Sequence, residues 1–167
     1  MIAAAAGASS ILAVDSDGDA VQRLREAVAL RSWHVPPTVV HADFLDVRAR
    51  ADVVFFEFCL HEMDDPDRVL AHARTLAPEL CIIDHAPDSP WTWYATESDK
   101  AARSWAAAER AGIVRMETHT TPQRFATHAD LVAKVGVMGE EAVARAAAFA
   151  GRTGFSIEMR YRLAVVA

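Results

Sequence analysis

Short apolar runs separated by amphipathic stretches form the pattern of the first half of the chain. Four such runs lie at 10–15, 38–43, 51–58 and 80–84, and each has an acidic residue at or next to its end. Runs of this length, apolar on both faces, are typical of parallel strands that helices cover on both sides. The pattern therefore predicts an α/β fold built from right-handed strand–helix–strand units.

The segments between these runs have helical spacing and carry start and stop signals. Asp17 or Asp19 can begin the first helix by capping its free N–H groups. Asp65 followed by Pro66 is a strong start for the second helix. A third helix is expected to end near Gly112, because glycine readily adopts the backbone conformation that ends a helix.

Beyond residue 112 the alternation of apolar and polar positions predicts strands at 113–121 and 155–167. One or two helices are expected between them, from about residue 127 to residue 149. The last segment alternates in the way that is typical of an antiparallel strand with one wetter face. We find no repeat and no interdomain linker, so residues 1–167 are expected to form a single doubly wound domain. Its sheet is expected to be mostly parallel, with an antiparallel C-terminal strand.

Composition and charge narrow the classes of partner. The 167 residues carry a net charge of −6 without a basic cluster, which argues against nucleic acid as a partner. Cys59 and Cys81 lie in apolar runs and are expected to be buried thiols on neighbouring strands. Thiols that form no disulfide are typical of a protein in a reducing compartment. The N-terminal apolar stretch lacks the basic residues of a signal peptide and the length to span a bilayer. A cytoplasmic protein without a membrane partner is therefore expected.

The side chains that leave the predicted strands are the candidates for chemistry, because open parallel sheets bind ligands beyond the carboxyl ends of their strands. Asp15 leaves the first strand and can accept hydrogen bonds from the two hydroxyls of a ribose. Asp43, followed by Phe44, leaves the second strand and can accept from an exocyclic amine while the ring packs on a purine. Capping of a helix is the alternative role for both carboxylates.

Three segments follow one another in the first half of the chain: "ILAVDSDGDAV", "VVHADFLDV" and "ADVVFFEFCLHEMDDPDRVLAHARTLAP". Their order and spacing resemble the class I S-adenosylmethionine-dependent methyltransferases, over residues 3 to about 85. The resemblance implies a Rossmann-like fold, S-adenosylmethionine as cofactor and methyl transfer to a small organic acceptor.

The resemblance also implies a set of cofactor-binding residues, which follow the first three strands of this sequence: Asp15, Ser16, Asp43, Phe44, Glu57 and Phe58. In this family the carboxylate after the first of these strands binds the ribose, and the residue beside it lies against the adenine. The acidic residue and its neighbour after the second strand bind the adenine. The last pair borders the methionine half of the cofactor.

The sequence departs from the family at its N-terminus. The family has an earlier strand that ends in a G-x-G-x-G turn, where the absence of side chains lets the backbone approach the cofactor. Here Gly7 is isolated and Gly18 follows a different strand, while Ala3–Ala6 fit the last turn of a helix. The chain is therefore expected to be N-terminally truncated and to lack a central strand between residues 10–15 and 52–57.

Three outcomes are open for the two strand edges that this loss would expose. The flanking strands can pair directly, another chain can supply a strand, or the sequence can be a fragment of a longer product. For the chain as given, self-association as a homodimer is expected, because exposed apolar strand edges recruit partners.

The binding site for the methyl acceptor is expected where the next two predicted strands end. His61 and Glu62 follow one of these strands and His85 follows the other, so all three are predicted catalytic residues in one cleft. Either histidine can accept the proton that a hydroxyl or amine loses on methylation. The wall of the acceptor site is expected from the aromatic residues of "DSPWTWY": Trp91, Trp93 and Tyr94. A packed lid without a binding role is the alternative for these aromatic residues.

Two other classes of function stay open. One is a metal-dependent hydrolase that uses the imidazole and carboxylate set of His61, Glu62, Asp84 and His85. The H-E-x-x-H spacing is absent, so we assign no metal site from the sequence. The other is a non-catalytic, self-associating remnant that binds no cofactor, which the missing glycine-rich turn favours.

Overall fold

A computed structural model describes residues 7–167 of the chain. The helical turn predicted at Ala3–Ala6 lies outside these residues. The described residues separate into two compact units, residues 7–49 and residues 50–167. No helix in the described part of the chain has both the length and the apolar character needed to cross a membrane.

The first unit contains a two-stranded parallel sheet and one helix: β1 (Leu12–Asp15), α1 (Gly18–Ala29) and β2 (Thr38–His41). Asp17 caps the helix, because its side chain accepts a hydrogen bond from the backbone N–H of Asp19 at 2.8 Å. Of the two predicted caps, Asp17 is therefore the one used. Val21 is the buried residue of this helix.

The second unit holds the remaining elements: β3 (Val53–Glu57), α2 (Pro66–Leu76), β4 (Glu79–His85), α3 (Pro90–Tyr94), α4 (Ser98–Ala111), β5 (Ile113–Thr127), α5 (His128–Val135), α6 (Glu140–Ala146) and β6 (Thr153–Val166). Its sheet has the strand order β3-β4-β6-β5. β3 and β4 run parallel, whereas β6 is antiparallel to both of its neighbours. The predicted α/β class and the antiparallel C-terminal strand are confirmed.

The resemblance implies a missing strand between residues 10–15 and 52–57, which correspond to β1 and β3. Within residues 7–167, β1 pairs only with β2, and β3 pairs only with β4. Direct pairing of the two flanking strands, one of the three expected outcomes, therefore does not occur among the described residues.

Local signals place the helices that support the sheet of the second unit. The side chain of Asp65 accepts a hydrogen bond from the backbone N–H of Arg68 at 3.0 Å, and Pro66 occupies the first turn of α2, as predicted. Gly112 ends α4 with a φ of 94°, a left-handed conformation that glycine adopts without steric cost. The buried side of α2 packs apolar residues in the core: Val69, Leu70, Ala73 and Leu76.

Three features differ from the expectations. β5 continues to Thr127, beyond the predicted end at residue 121, because β6 pairs with it over nearly its whole length. The segment Pro90–Tyr94 forms the short helix α3, which was not predicted. The expectation of two buried thiols on neighbouring strands is wrong for Cys59, which lies beyond the end of β3. Neither cysteine forms a disulfide among the described residues, and both are only half-buried.

Candidate active site

A cavity of about 330 Å³ lies in the second unit, where β3 and β4 end. Its lining combines aromatic and thioether side chains with ionisable and amide groups: Phe58, His61, Glu62, His85, Trp91, Glu97, Gln123, Lys134, Met138 and Met159. Small-molecule sites usually combine apolar walls with converging polar groups, and both kinds of side chain line this cavity. The cavity therefore identifies the candidate active site of this unit.

His61 and Asp84 form the most deeply buried polar contact at this cavity. Ring Nδ1 of His61 lies 2.5 Å from Oδ1 of Asp84, and the backbone N–H of His61 donates to Oδ2 at 2.9 Å. The side chain of Asp84 is fully buried, and His61 is 3% exposed. Because Asp84 fixes Nδ1, the other ring nitrogen of His61 lies toward two carboxylates, Glu62 at 3.3 Å and Glu97 at 3.8 Å.

The charge state of His61 follows from this contact. Burial alone disfavours the imidazolium and lowers the pKa of His61. The hydrogen bonds and negative charges of Asp84 and Glu97 outweigh burial and raise the pKa to about 10. His61 is therefore protonated at neutral pH and is not the histidine that can accept a proton there.

His85 has the opposite character. Burial and the positive charge of His61 lower the pKa of His85, so its ring is neutral at neutral pH. The ring lies 4.9 Å from that of Phe58 and 5.2 Å from that of His61, measured between centroids. Its Nδ1 atom is buried without a hydrogen-bond partner among the described residues. Of the two histidines predicted as proton acceptors, only His85 has the required charge state.

Two carboxylates complete the polar side of the cavity. Glu62 accepts a hydrogen bond from Nζ of Lys100 at 2.7 Å. Burial raises the pKa of Glu62, but Lys100 and His61 outweigh burial, and the pKa lies below its usual range. Glu97 is 5% exposed and immediately precedes α4, where the helix dipole favours a negative charge.

Phe58 holds its ring against His85 through an unusual backbone conformation. Its φ is 51°, a left-handed value that is rare for a bulky residue. The backbone N–H of Phe58 donates to the carbonyl of Ile83 at 2.8 Å, which fixes this turn against β4. Strain of this kind often occurs at functional sites. Glu57, the other residue predicted to border the methionine half, is exposed at the end of β3.

The predicted aromatic wall is only partly present. Trp91 lines the cavity and is 2% exposed, with its ring stacked on Phe125. Trp93 and Tyr94 do not belong to the lining. Trp93 is 50% exposed with Arg145 over its ring, and Tyr94 packs on Phe149. The physical reason is the helix α3, which turns neighbouring residues toward different sides.

The predicted nucleoside-binding residues lie in the first unit. Asp15 ends β1 and Asp43 follows β2, and the two strands pair in parallel with Asp15 opposite His41. Both carboxylates are exposed at the same edge of this sheet. Each also accepts one backbone hydrogen bond of 2.8 Å, Asp15 from Asp17 and Asp43 from Leu45.

Ser16 and Phe44 lie beside these two carboxylates. The carbonyl of Ser16 is 3.1 Å from Nε2 of His41, a contact that joins the turn after β1 to the end of β2. Phe44 is half-buried and begins the short turn that Asp43 caps. The capping role considered for Asp43 is therefore present, and its second carboxylate oxygen is not used in this turn.

Sequence reasoning missed five residues of the cavity lining: Glu97, Gln123, Lys134, Met138 and Met159. Glu97 directly precedes α4 but makes no side-chain capping hydrogen bond, so no local pattern marks it as a site residue. The other four come from strands and helices of the second half, whose approach to the cavity depends on tertiary packing.

No protein-family model and no curated protein matches the chain. Solved structures do match. A protein from Bacillus halodurans C-125 assigned as a methyltransferase has a TM-score of 0.58 at 15% identity, covering 94% of this chain and 82% of its own. A methyltransferase from Aquifex aeolicus that depends on S-adenosylmethionine has a TM-score of 0.52 at 16% identity, covering 95% and 69%.

A mycolic acid cyclopropane synthase, solved with S-adenosylhomocysteine, has a TM-score of 0.57 at 11% identity. The match covers 100% of this chain and 73% of the synthase. Identities in this range establish a shared fold. Together with the strand order described above, they show that the chain has the fold of the class I S-adenosylmethionine-dependent methyltransferases.

Proposed function

We propose that this chain transfers a methyl group from S-adenosylmethionine to a small organic acceptor. The observation that carries the proposal is the position of Asp15 and Asp43, which leave neighbouring parallel strands at the same edge of a sheet. This is the edge at which folds of this type bind nucleosides.

The residues of the first unit fit an adenosine. A carboxylate offers about four lone-pair sites, and each of these two uses one oxygen for a backbone N–H. Asp15 therefore keeps capacity for the ribose hydroxyls, and Asp43 keeps capacity for the exocyclic amine. Ser16 and Phe44 are the neighbours proposed to contact the adenine.

The methionine half is assigned to Glu57 and Phe58. The sequence contains no G-x-G-x-G turn, so this half would depend on side-chain contacts. When bound, S-adenosylmethionine would supply a methyl group from its sulfonium to a nucleophilic atom of the acceptor and become a neutral thioether, while the proton of the acceptor passes to the neutral ring of His85 or to solvent.

The cavity of the second unit is the proposed acceptor site. Trp91 and Phe58 offer apolar surface to an organic molecule. His61, Glu62 and His85 also line this cavity and are the groups proposed to orient a hydroxyl or amine of the acceptor. Methyl transfer needs mainly the alignment of the nucleophile with the sulfonium, and side chains that line the acceptor site restrict the acceptor's orientation.

Calorimetric titration of the purified chain with S-adenosylhomocysteine tests this function. Saturable binding at a single site is expected. S-Inosylhomocysteine is the matched ligand, because it lacks the exocyclic amine assigned to Asp43, and it is expected to bind more weakly. Absence of binding would overturn the proposal and favour the non-catalytic alternative. A sizing column run on the same sample tests the expected homodimer.

A further inference from the structure

Three buried side chains at the cavity bring metal-ligand atoms together. His61, His85 and Glu97 each offer one such atom, and these atoms all lie within 4.8 Å of one another. All three residues belong to the second unit and are at least nine-tenths buried. Two imidazoles and a carboxylate form a donor set that divalent transition metals prefer.

The surroundings of His61 resemble those of a metal-binding histidine. Asp84 holds Nδ1 at 2.5 Å, which leaves Nε2 as the atom toward Glu97. Histidines that bind metals usually give their other ring nitrogen to a carboxylate in this way, since the contact fixes the ring orientation and strengthens the ligand. Asp84 is therefore a positioning residue and not a ligand. The metal-binding set considered from the sequence had included it as a ligand.

His85 supplies an independent observation. Its Nδ1 atom is buried and has no hydrogen-bond partner among residues 7–167. The backbone on both sides of this ring is held firmly. The N–H of His85 donates to Asp84 at 2.8 Å, and its carbonyl accepts from Nε1 of Trp105 at 2.7 Å. Buried nitrogen atoms without partners are rare, and each one needs an explanation.

We propose that His61, His85 and Glu97 bind one divalent first-row transition-metal ion, with zinc the best fit to two imidazoles and one carboxylate. The ion displaces the proton that Nε2 of His61 carries in the metal-free chain, and this proton is released to solvent. Glu62 is held by Lys100 at 2.7 Å and stays outside the ligand set. Three protein ligands leave a coordination position open to the cavity, as in catalytic zinc sites.

The open coordination position gives the metal a role in methyl transfer. This role rests on the proposed function, whereas the metal site itself does not. An acceptor that coordinates through a hydroxyl oxygen would lose its proton to solvent more readily, because a bound divalent ion lowers the pKa of a coordinated hydroxyl. With the metal bound, His85 acts as a ligand and is not needed as the base. The structure then favours acceptors with an oxygen donor over those with a purely apolar reacting group.

The test uses the full chain, stripped of metal with a chelator and then dialysed. Cobalt(II) is titrated while its visible absorption is recorded, and zinc affinity is measured by competition with a chromophoric chelator. One ion per chain is expected, with cobalt bands typical of low coordination number. Absence of both signals would overturn the metal site.

Variants assign the ligands. His61→Ala, His85→Ala and Glu97→Gln are each expected to weaken zinc binding at least about tenfold, and Asp84→Asn to weaken it about 10–100-fold. His119→Ala and Glu109→Gln remove exposed groups of the same unit and serve as matched controls. Affinity in Glu97→Gln equal to that in Glu109→Gln would overturn the assignment. Glu97→Gln preserves side-chain shape, so it decides the question if a histidine variant fails to fold.

A crossed measurement separates this inference from the proposed function. Asp15→Ala is expected to keep wild-type zinc affinity, because Asp15 is not a ligand. S-Adenosylhomocysteine titration of the metal-free chain is expected to show binding. Loss of nucleoside binding with retained metal binding overturns only the proposed function, and the reverse result overturns only the metal site.

Discussion

Asp84 accepts two hydrogen bonds from a single residue, His61: one from its backbone N–H at 2.9 Å and one from ring Nδ1 at 2.5 Å. It also accepts from the backbone N–H of His85 at 2.8 Å. These contacts join the turn after β3 to the carboxyl end of β4. The position of both cavity histidines therefore depends on one buried carboxylate.

Asp84→Asn is expected to destabilise the metal-free chain by about 1.5–3 kcal/mol, the range for a hydrogen bond to a charged group. The amide cannot carry the negative charge that faces the imidazolium, and its NH₂ group cannot accept. Urea unfolding followed by circular dichroism measures the change.

Asp67→Asn is the matched control for this change. Asp67 also pairs with a cation, Arg110 at 2.8 Å, but both side chains are more than half exposed. Exposed ion pairs contribute little because water and salt screen them, so little or no change in stability is expected. Equal losses in the two variants would contradict the importance assigned to burial.

Asp15→Ala is expected to weaken S-adenosylhomocysteine binding by ~1–3 kcal/mol, the scale of a charge-assisted hydrogen bond. The physical reason is the loss of the carboxylate proposed to accept from the ribose hydroxyls. Isothermal calorimetry gives the affinity. Asp19→Asn, which changes an exposed carboxylate in the first turn of α1, is the control and should bind normally. Unchanged affinity in Asp15→Ala would make Asp15 a turn-forming residue only.

The sequence predicts the ends of helices and the positions of strands correctly where the signal lies in a few neighbouring residues. Asp65 and Pro66 begin α2, and Gly112 ends α4, because capping geometry and glycine conformations depend on a few neighbouring residues. The four apolar runs became strands for a similar reason, since their length and flanking acidic residues distinguish them from helices.

The candidate site could be predicted only in part, because its composition depends on tertiary packing. The histidines His61 and His85 were expected in one cleft and do line one cavity. Glu97 approaches His61 only because α4 packs near the turn after β3, which no local pattern encodes. The sequence predicts Trp93 in the same wall as Trp91, because a helix of five residues is too short to give a periodic signal.

Cys81 offers a test of burial that is independent of the cavity. Burial, with the nearby charge of Glu79, raises the pKa of the Cys81 thiol. A raised pKa lowers the thiolate fraction at neutral pH, so alkylation of Cys81 should be slow there and increase at higher pH than for a free thiol. Iodoacetamide kinetics on a Cys59→Ser variant isolate this residue. N-Acetylcysteine is the reference, and a rate midpoint at or below its value would contradict the expectation.

The two tryptophans of α3 differ in burial, so truncating each of them should change the free energy of unfolding by a different amount. Trp91 is 2% exposed and stacks on Phe125 with a centroid distance of 6.2 Å, so Trp91→Ala should cost about 3–5 kcal/mol through the cavity it leaves.

Trp93 is half exposed, with Arg145 4.6 Å from its ring centroid and the ring of Tyr94 edge-on at 4.8 Å. Trp93→Ala should therefore cost only about 1 kcal/mol or less, the value of a cation–π contact at an exposed position. Both variants are compared by urea unfolding. Similar losses would mean that α3 packs both rings equally, which would restore Trp93 as a candidate wall of the acceptor site.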